Sequence, residues 1–157
     1  VDGGNLEARG ATLVASCMAG VAFTNSGVGI THALAHAVGA KYATHHGMTN
    51  GVFLPHGMRF NLDTIYPRYA RIAQFLSLAD EDNNGDDLAL ANLLVNKVEA
   101  LIEKLQLPLT LRELGVPEFS DENLAELSDL AAADPAIMFN PREASSDDLT
   151  QLLKRAY

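Results

Sequence analysis

At 157 residues, 48% hydrophobic and 20% charged, the chain is long enough for one domain with a packed core and too apolar for a disordered segment. Its formal net charge of −9 speaks against a nucleic-acid partner, because phosphate binding draws on clustered Lys and Arg. The one cysteine, Cys17, cannot close an internal disulfide, and neither a signal peptide nor an unbroken run of about 18 apolar residues is present, so the expectation is a cytoplasmic protein without membrane contact.

Charge is spread unevenly. Residues 1–60 carry three basic and two acidic side chains, as a segment buried on most sides would, whereas the remainder carries 8 basic and 18 acidic ones, like a solvated helical shell. Asn5 can cap a first helix from about Leu6 to Thr24. That helix is apolar nearly all round and must be covered on every face. The chain opens in a turn without an initiator Met, and so reads as a piece of a longer protein whose remainder supplies part of the cover.

Asn25-Ser26-Gly27 ends the first helix. Gly27-Val28-Gly29 is read as a tight interhelical turn, since a dinucleotide fingerprint needs a third glycine and a preceding strand. A second helix is predicted from Val28 to Gly39. A third follows Gly47 and carries Val52, Phe53 and Leu54, with Pro55 expected to kink or interrupt it. Pro67 suits the first turn of a fourth, through Phe75. The acidic run Ala79 to Asp87 is a surface loop, with Asp86 or Asp87 capping a helix whose Leu90, Leu94, Val98, Leu101 and Leu105 form one inward stripe. Ser120 reads as an N-cap bracketed by a staple of Phe119 and Leu124. Ser145 and Asp148 open a last helix with Leu149, Leu152, Leu153 and Ala156 facing inward. Strand signals are nearly absent, so the predicted fold class is all-α, one helical domain over residues 1–157.

Four of the five histidines fall within fifteen positions, His32, His36, His45 and His46, among small and apolar residues. His32 and His36 stand i, i+4 on one helix face, a spacing that permits chelation and equally suits two satisfied core histidines. His46 decides between them. On one straight helix it would lie about 21 Å from His32, so a shared metal requires the chain to fold back, and Gly39 with Thr44–Gly47 supplies a place for the reversal. Imidazole is a common ligand for first-row transition metals. A catalytic site needs at least three protein ligands, and the carboxylates here lie in solvent-facing stretches, Asp63 being the nearest in sequence. The histidines therefore read as half of a metal site.

The run Ala22–Gly39, with Gly27-Val28-Gly29-Ile30-Thr31-His32 and Ala33-Leu34-Ala35-His36, resembles the signature of the iron-containing (group III) alcohol dehydrogenases. His46–Asn61, including Leu54-Pro55-His56-Gly57, resembles its continuation. The likeness extends through Leu111–Gly115 and Asn140-Pro141-Arg142 to the last helix. It implies an all-helical C-terminal domain of the dehydroquinate synthase-like type, following a nucleotide-binding domain that this chain lacks. It also implies His32 and His46 as metal ligands, His36 as a catalytic, proton-handling residue beside the nicotinamide and so at the cofactor, and Phe23 on the substrate channel. His45 and His56 are given no direct role. The implied cofactors are a divalent metal, Fe2+ foremost with Zn2+ as an alternative, and NAD or NADP.

The implied reaction is oxidation of an alcohol to an aldehyde or ketone, with small-molecule alcohols and aldehydes as partners and a homo-oligomer as the assembly. The 157-residue piece is expected to have little or no such activity alone. Two other readings remain. One is a helical interaction or oligomerisation module built on the apolar first helix. The other is a metal-sensing or storage bundle, against which the missing Glu-x-x-His pattern counts.

Overall fold

A computed structural model describes residues 3–78 and 85–157 of the chain. The described residues form six α-helices and no strand: α1 Leu6–Ser26, α2 Ile30–Tyr42, α3 His46–Phe75, α4 Asp87–Lys104, α5 Asp121–Ala133 and α6 Ser146–Ala156, with a 3-10 turn at Pro135–Phe139. The all-α expectation holds. The caps fall where the sequence puts them: Asn5, Asp86, Ser120 and Ser145 each accept from a backbone N–H of the first turn. Ser145 and Asp148 form a reciprocal capping box. Ala79–Asn84 of the predicted acidic loop lie outside the described residues.

α2 is the centre of the domain. Ile30, Ala33, Leu34, Ala35, Ala37 and Val38 are all buried, packed with Val52, Phe53 and Phe60 of α3, Leu124 and Leu127 of α5, and Leu149, Leu152 and Leu153 of α6. Burial on so many sides leaves one stripe of α2 uncovered, and His32 and His36 lie on it. A smaller core of Ala70 and Ala73 with Leu90 and Leu94 joins the far half of α3 to α4. Arg59 adds a two-pronged ion pair to Glu99 across the same seam, at 3.0 and 2.6 Å.

Four expectations are corrected. α2 runs to Tyr42 rather than Gly39, so the reversal starts three residues later. Pro55 does not interrupt α3: Val52, Phe53, Gly57 and Phe60, buried on both sides of it, hold the axis, and the one non-helical residue is Ile65, two before Pro67. The third and fourth predicted helices are therefore one element with a bend. On α4 the inward stripe ends early, because Leu101 and Leu105 are exposed while Ala91, Val95 and Ile102 are buried, following the 3.6-residue turn instead of a run of leucines.

α1 stands apart from this packing. No residue of it is buried, and Leu13, Val14, Met18 and Val21 are exposed, so the predicted cover is absent among the described residues. By length and composition this helix is also apolar enough to cross a membrane, which a search for unbroken apolar runs overlooked because Thr, Ser, Gly and Cys interleave its apolar side chains.

The Ser145 cap carries a measurable part of α6. The Ser145 hydroxyl and N–H hold the Asp148 carboxyl below the usual carboxylate range. A depressed carboxylate stabilises the fold above its ordinary pKa, and the contribution fades as pH falls through the folded value. Ser145→Ala should cost about 0.5–2 kcal/mol in urea unfolding at pH 7, and the deficit should shrink below about pH 4.

Candidate metal centre

The histidines are brought together by a three-residue reversal. α2 ends on Ala43, whose left-handed φ of +54° returns its N–H to the Gly39 carbonyl. Thr49, fully buried, donates to the His45 carbonyl at 3.0 Å and pairs with the Thr44 hydroxyl at 2.7 Å. His45 turns its Nδ1 to the Met48 N–H, 3.3 Å away, and is thus the N-cap of α3. That local chemistry explains His45 without a ligand role, and it puts His46 on the first turn of α3, back beside α2.

The result is a three-imidazole cluster. Ring centroids are 5.7 Å apart for His32 and His36, 5.5 Å for His32 and His46, and 5.3 Å for His36 and His46. A ring bound through nitrogen at about 2.0–2.1 Å has its centre about 3 Å from the ion, so two rings on a tetrahedral ion stand about 5 Å apart. The His32–His46 spacing suits a shared metal. Among the described residues, however, no group of three or more His, Cys, Asp or Glu could hold one unaided. In donor type and spacing the pair fits a divalent ion as an incomplete ligand set.

The electrostatics favour the neutral form of His32. Burial, followed by the positive charges of His36 and His46, pushes the His32 pKa below its ordinary value, against a smaller upward pull from Asp134. Neutral imidazole is the ligating form. His36 is more exposed, and its Nδ1 lies 2.9 Å from Oδ2 of Asp134, which sits just ahead of the 3-10 turn. A carboxylate oxygen there accepts from Nδ1–H, which in the neutral ring leaves the lone pair on Nε2. Asn50 places its amide nitrogen 3.2 and 3.5 Å from the two ring nitrogens of His46. The same nitrogen donates to the His46 carbonyl at 2.9 Å.

A cleft of about 450 Å3 opens beside His32, lined by Val28, Gly29, Thr31, Gly47, Asn50, Gly51 and Leu54. Three glycines make its walls close to bare backbone. Other hollows lie along α1 and contain no histidine. Phe23 is half exposed near the end of α1, where its carbonyl accepts the Gly27 N–H. Gly27, at φ +69°, and Gly29 are the boundary residues of α1 and α2, as the turn reading expects. Asp63 is exposed on α3.

Sequence reasoning missed Asp134. It is 98 residues from His36, and no spacing rule links them. Its one local signal is that it caps the turn opened by Pro135.

His56, the fifth histidine, is partly buried on α3. Burial lowers its pKa, as do the positive charges of Arg155 and Arg59, while Glu99 raises it less than burial lowers it. A depressed imidazole favours the unfolded chain once the medium is acid enough to protonate it there. Folding stability should therefore fall as pH drops below about 6.5, and His56→Gln should flatten that slope in denaturant titrations from pH 7.5 to 5.5. An unchanged slope would deny His56 this role.

Comparison with known proteins identifies the family of the chain. The sequence matches the family described as "Fe-containing alcohol dehydrogenase family, C-terminal" over residues 1–157. It is 37% identical over 155 residues to an NADPH-dependent butanol dehydrogenase of Clostridium saccharobutylicum, covering 98% of this chain and 39% of that protein. To an NAD-dependent methanol dehydrogenase of Bacillus methanolicus it is 36% identical over 156 residues, with 99% and 39% covered. The solved alcohol dehydrogenase from Oenococcus oeni superposes with a TM-score of 0.89 at 27% identity, over 100% of this chain and 40% of that one. The chain thus spans about two fifths of the length of its relatives, and it belongs to the Fe-containing alcohol dehydrogenase family, matching its C-terminal region.

Proposed function

We propose that this chain is the metal-holding and substrate-facing part of an NAD(P)-dependent alcohol dehydrogenase that interconverts a small alcohol with its aldehyde or ketone. The observation that carries the reading is the convergence of His32 and His46, from successive helices, at a spacing suited to one ion. In this reading a nucleotide-binding domain precedes residues 1–157 in the intact protein, completes the ligand set and covers the bare surface of α1. The assignment of the ion as Fe2+ rests on the family; imidazole serves Zn2+ equally well.

His32 and His46 would hold the ion, and burial with the neighbouring imidazoles lowers the His32 pKa, which favours the ligating neutral form of that ring. A divalent metal supplies Lewis acidity that polarises an alcohol oxygen and lowers its pKa. His36 then has the proton-handling role beside the nicotinamide. Asp134 fixes its tautomer, Nε2 is the free acceptor, and the exposed side of the ring offers the proton a way to solvent. The glycine-lined cleft gives a small substrate close approach to His32. Phe23 is assigned to the substrate channel, its half-exposed ring providing an apolar wall.

The uncovered apolar face of α1 favours one other reading, a helical module that binds a partner protein and does no chemistry. Metal dependence separates the two. The full-length gene product should carry about one divalent metal per chain and reduce NAD(P) only when alcohol is supplied. His32→Ala and His46→Ala should each empty the site and abolish turnover. His36→Asn should retain the metal and lose about 10²–10⁴-fold in rate. The 157-residue chain alone should show no turnover. Turnover indifferent to chelator, or full metal content in both alanine variants, would overturn the dehydrogenase reading.

A further inference from the structure

Pairing His32 with His46 requires something to hold α2 at one height and rotation against α3. A slip of one residue moves a side chain about 1.5 Å along the helix and about 100° around it, whereas metal ligands tolerate about 0.2 Å. Hydrophobic packing alone sets register loosely. A polar latch at the start of α2 sets it tightly.

α2 opens on Gly29, which has no side chain with which to cap its own helix. The cap comes from Asn140, 110 residues on, whose Oδ1 accepts the Ile30 N–H at 3.1 Å. That same oxygen accepts from Nδ2 of Asn61 at 3.0 Å, and Nδ2 of Asn140 donates to Oδ1 of Asn61 at 2.8 Å. The two amides are paired edge to edge, with Asn61 buried on α3. Nδ2 of Asn140 also reaches the Arg142 carbonyl at 2.6 Å. Arg142 in turn donates to the Phe60 carbonyl at 3.0 Å, its guanidinium 4.1 Å from the Phe60 ring centre. One side chain therefore ties the first residue of α2 to the middle of α3.

The glycines around this point are spaced for it. A Cβ on Gly29 would lie 2.7 Å from Oδ1 of Asn140, and one on Gly57 would lie 2.3 Å from the Thr31 hydroxyl. The first turn of α2 is clasped between Asn140 on one side and a glycine of α3 on another. His32 comes two residues after Ile30, inside the clasped turn. His36 is held one turn later by Asp134, from the other end of the same 3-10 segment.

We infer that Asn140 is a positioning residue that sets the separation of His32 and His46, acting through the Ile30 N–H and the Asn61 side chain. The geometric part stands on the hydrogen bonds alone. The consequence for metal binding rests on the metal reading above.

The test measures Zn2+ affinity by chelator competition in the full-length gene product, and the His32–His46 spacing in metal-free crystal structures of the same variants. Asn140→Ala should weaken Zn2+ binding about 10–100-fold and shift the ring separation from 5.5 Å. Asn140→Asp keeps an acceptor for the Ile30 N–H but sets a carboxylate oxygen against Asn61 Oδ1 and the Arg142 carbonyl, so spacing and affinity should fall between the parent and Asn140→Ala. Gly29→Ala, at a φ of −118° that alanine tolerates, should act like Asn140→Ala by pushing Oδ1 aside, and serves if the latter does not fold. Ser145→Ala loosens α6 and reaches the latch only through the 3.8 Å Asp148–Arg142 ion pair, and should leave affinity within a few fold of the parent.

Parental affinity and spacing in folded Asn140→Ala or Gly29→Ala would overturn the inference. So would an equal loss of affinity in Ser145→Ala, which would mark a general effect of instability. If the parent binds no Zn2+, the metal reading fails, and the metal-free spacing still decides the latch.

Discussion

The register of α2 against α3 is the constraint on which the site depends. Each helix brings one histidine of the candidate pair, and neither is placed by its own helix alone. Two local devices fix the pairing. At one end, Ala43 accepts a left-handed backbone, which costs a non-glycine residue about 1–2 kcal/mol, and the Thr44–Thr49 contact and the His45 cap close the reversal. At the other, the Asn61–Asn140 amide pair holds the first turn of α2. Between them α2 is buried on most sides, so that the histidine stripe has one direction left to face.

The same geometry has an electrostatic consequence. Burial and the two imidazoles within 6 Å together hold the His32 pKa below its ordinary value. Asp134 opposes this more weakly at His32 and pairs with Nδ1 of His36, which leaves the three rings in unequal surroundings. Under the proposed function, His32 and His46 would bind while the more exposed His36 would handle the proton. Alongside it lies the bare apolar length of α1, a surface that no described residue covers.

Much of this was legible in the sequence where the causes are local. Caps at Asn5, Asp86, Ser120 and Ser145 depend on residues a few positions apart, and the i, i+4 placement of His32 and His36 follows from helical geometry. The likeness of Ala22–Gly39 and His46–Asn61 to a known signature located the candidate ligands. What escaped had non-local causes. Asp134 and Asn140 act on partners 79 to 110 residues away, and nothing in their own neighbourhoods announces it. Pro55 was misread because core packing on both sides outweighs one missing hydrogen bond. The α4 stripe was misread because leucine spacing was followed in place of the helical period, and Ala91 and Val95 took the buried positions.

The central claim is that His32 and His46 bind one ion between them. Anomalous diffraction at the iron and zinc edges from crystals of the full-length gene product tests it most directly. The account predicts one peak per chain at about 2.0–2.3 Å from a ring nitrogen of each histidine, with the remaining ligands contributed from outside residues 1–157. A fully loaded metal located away from either ring, or metal-replete active enzyme with no peak there, would contradict it.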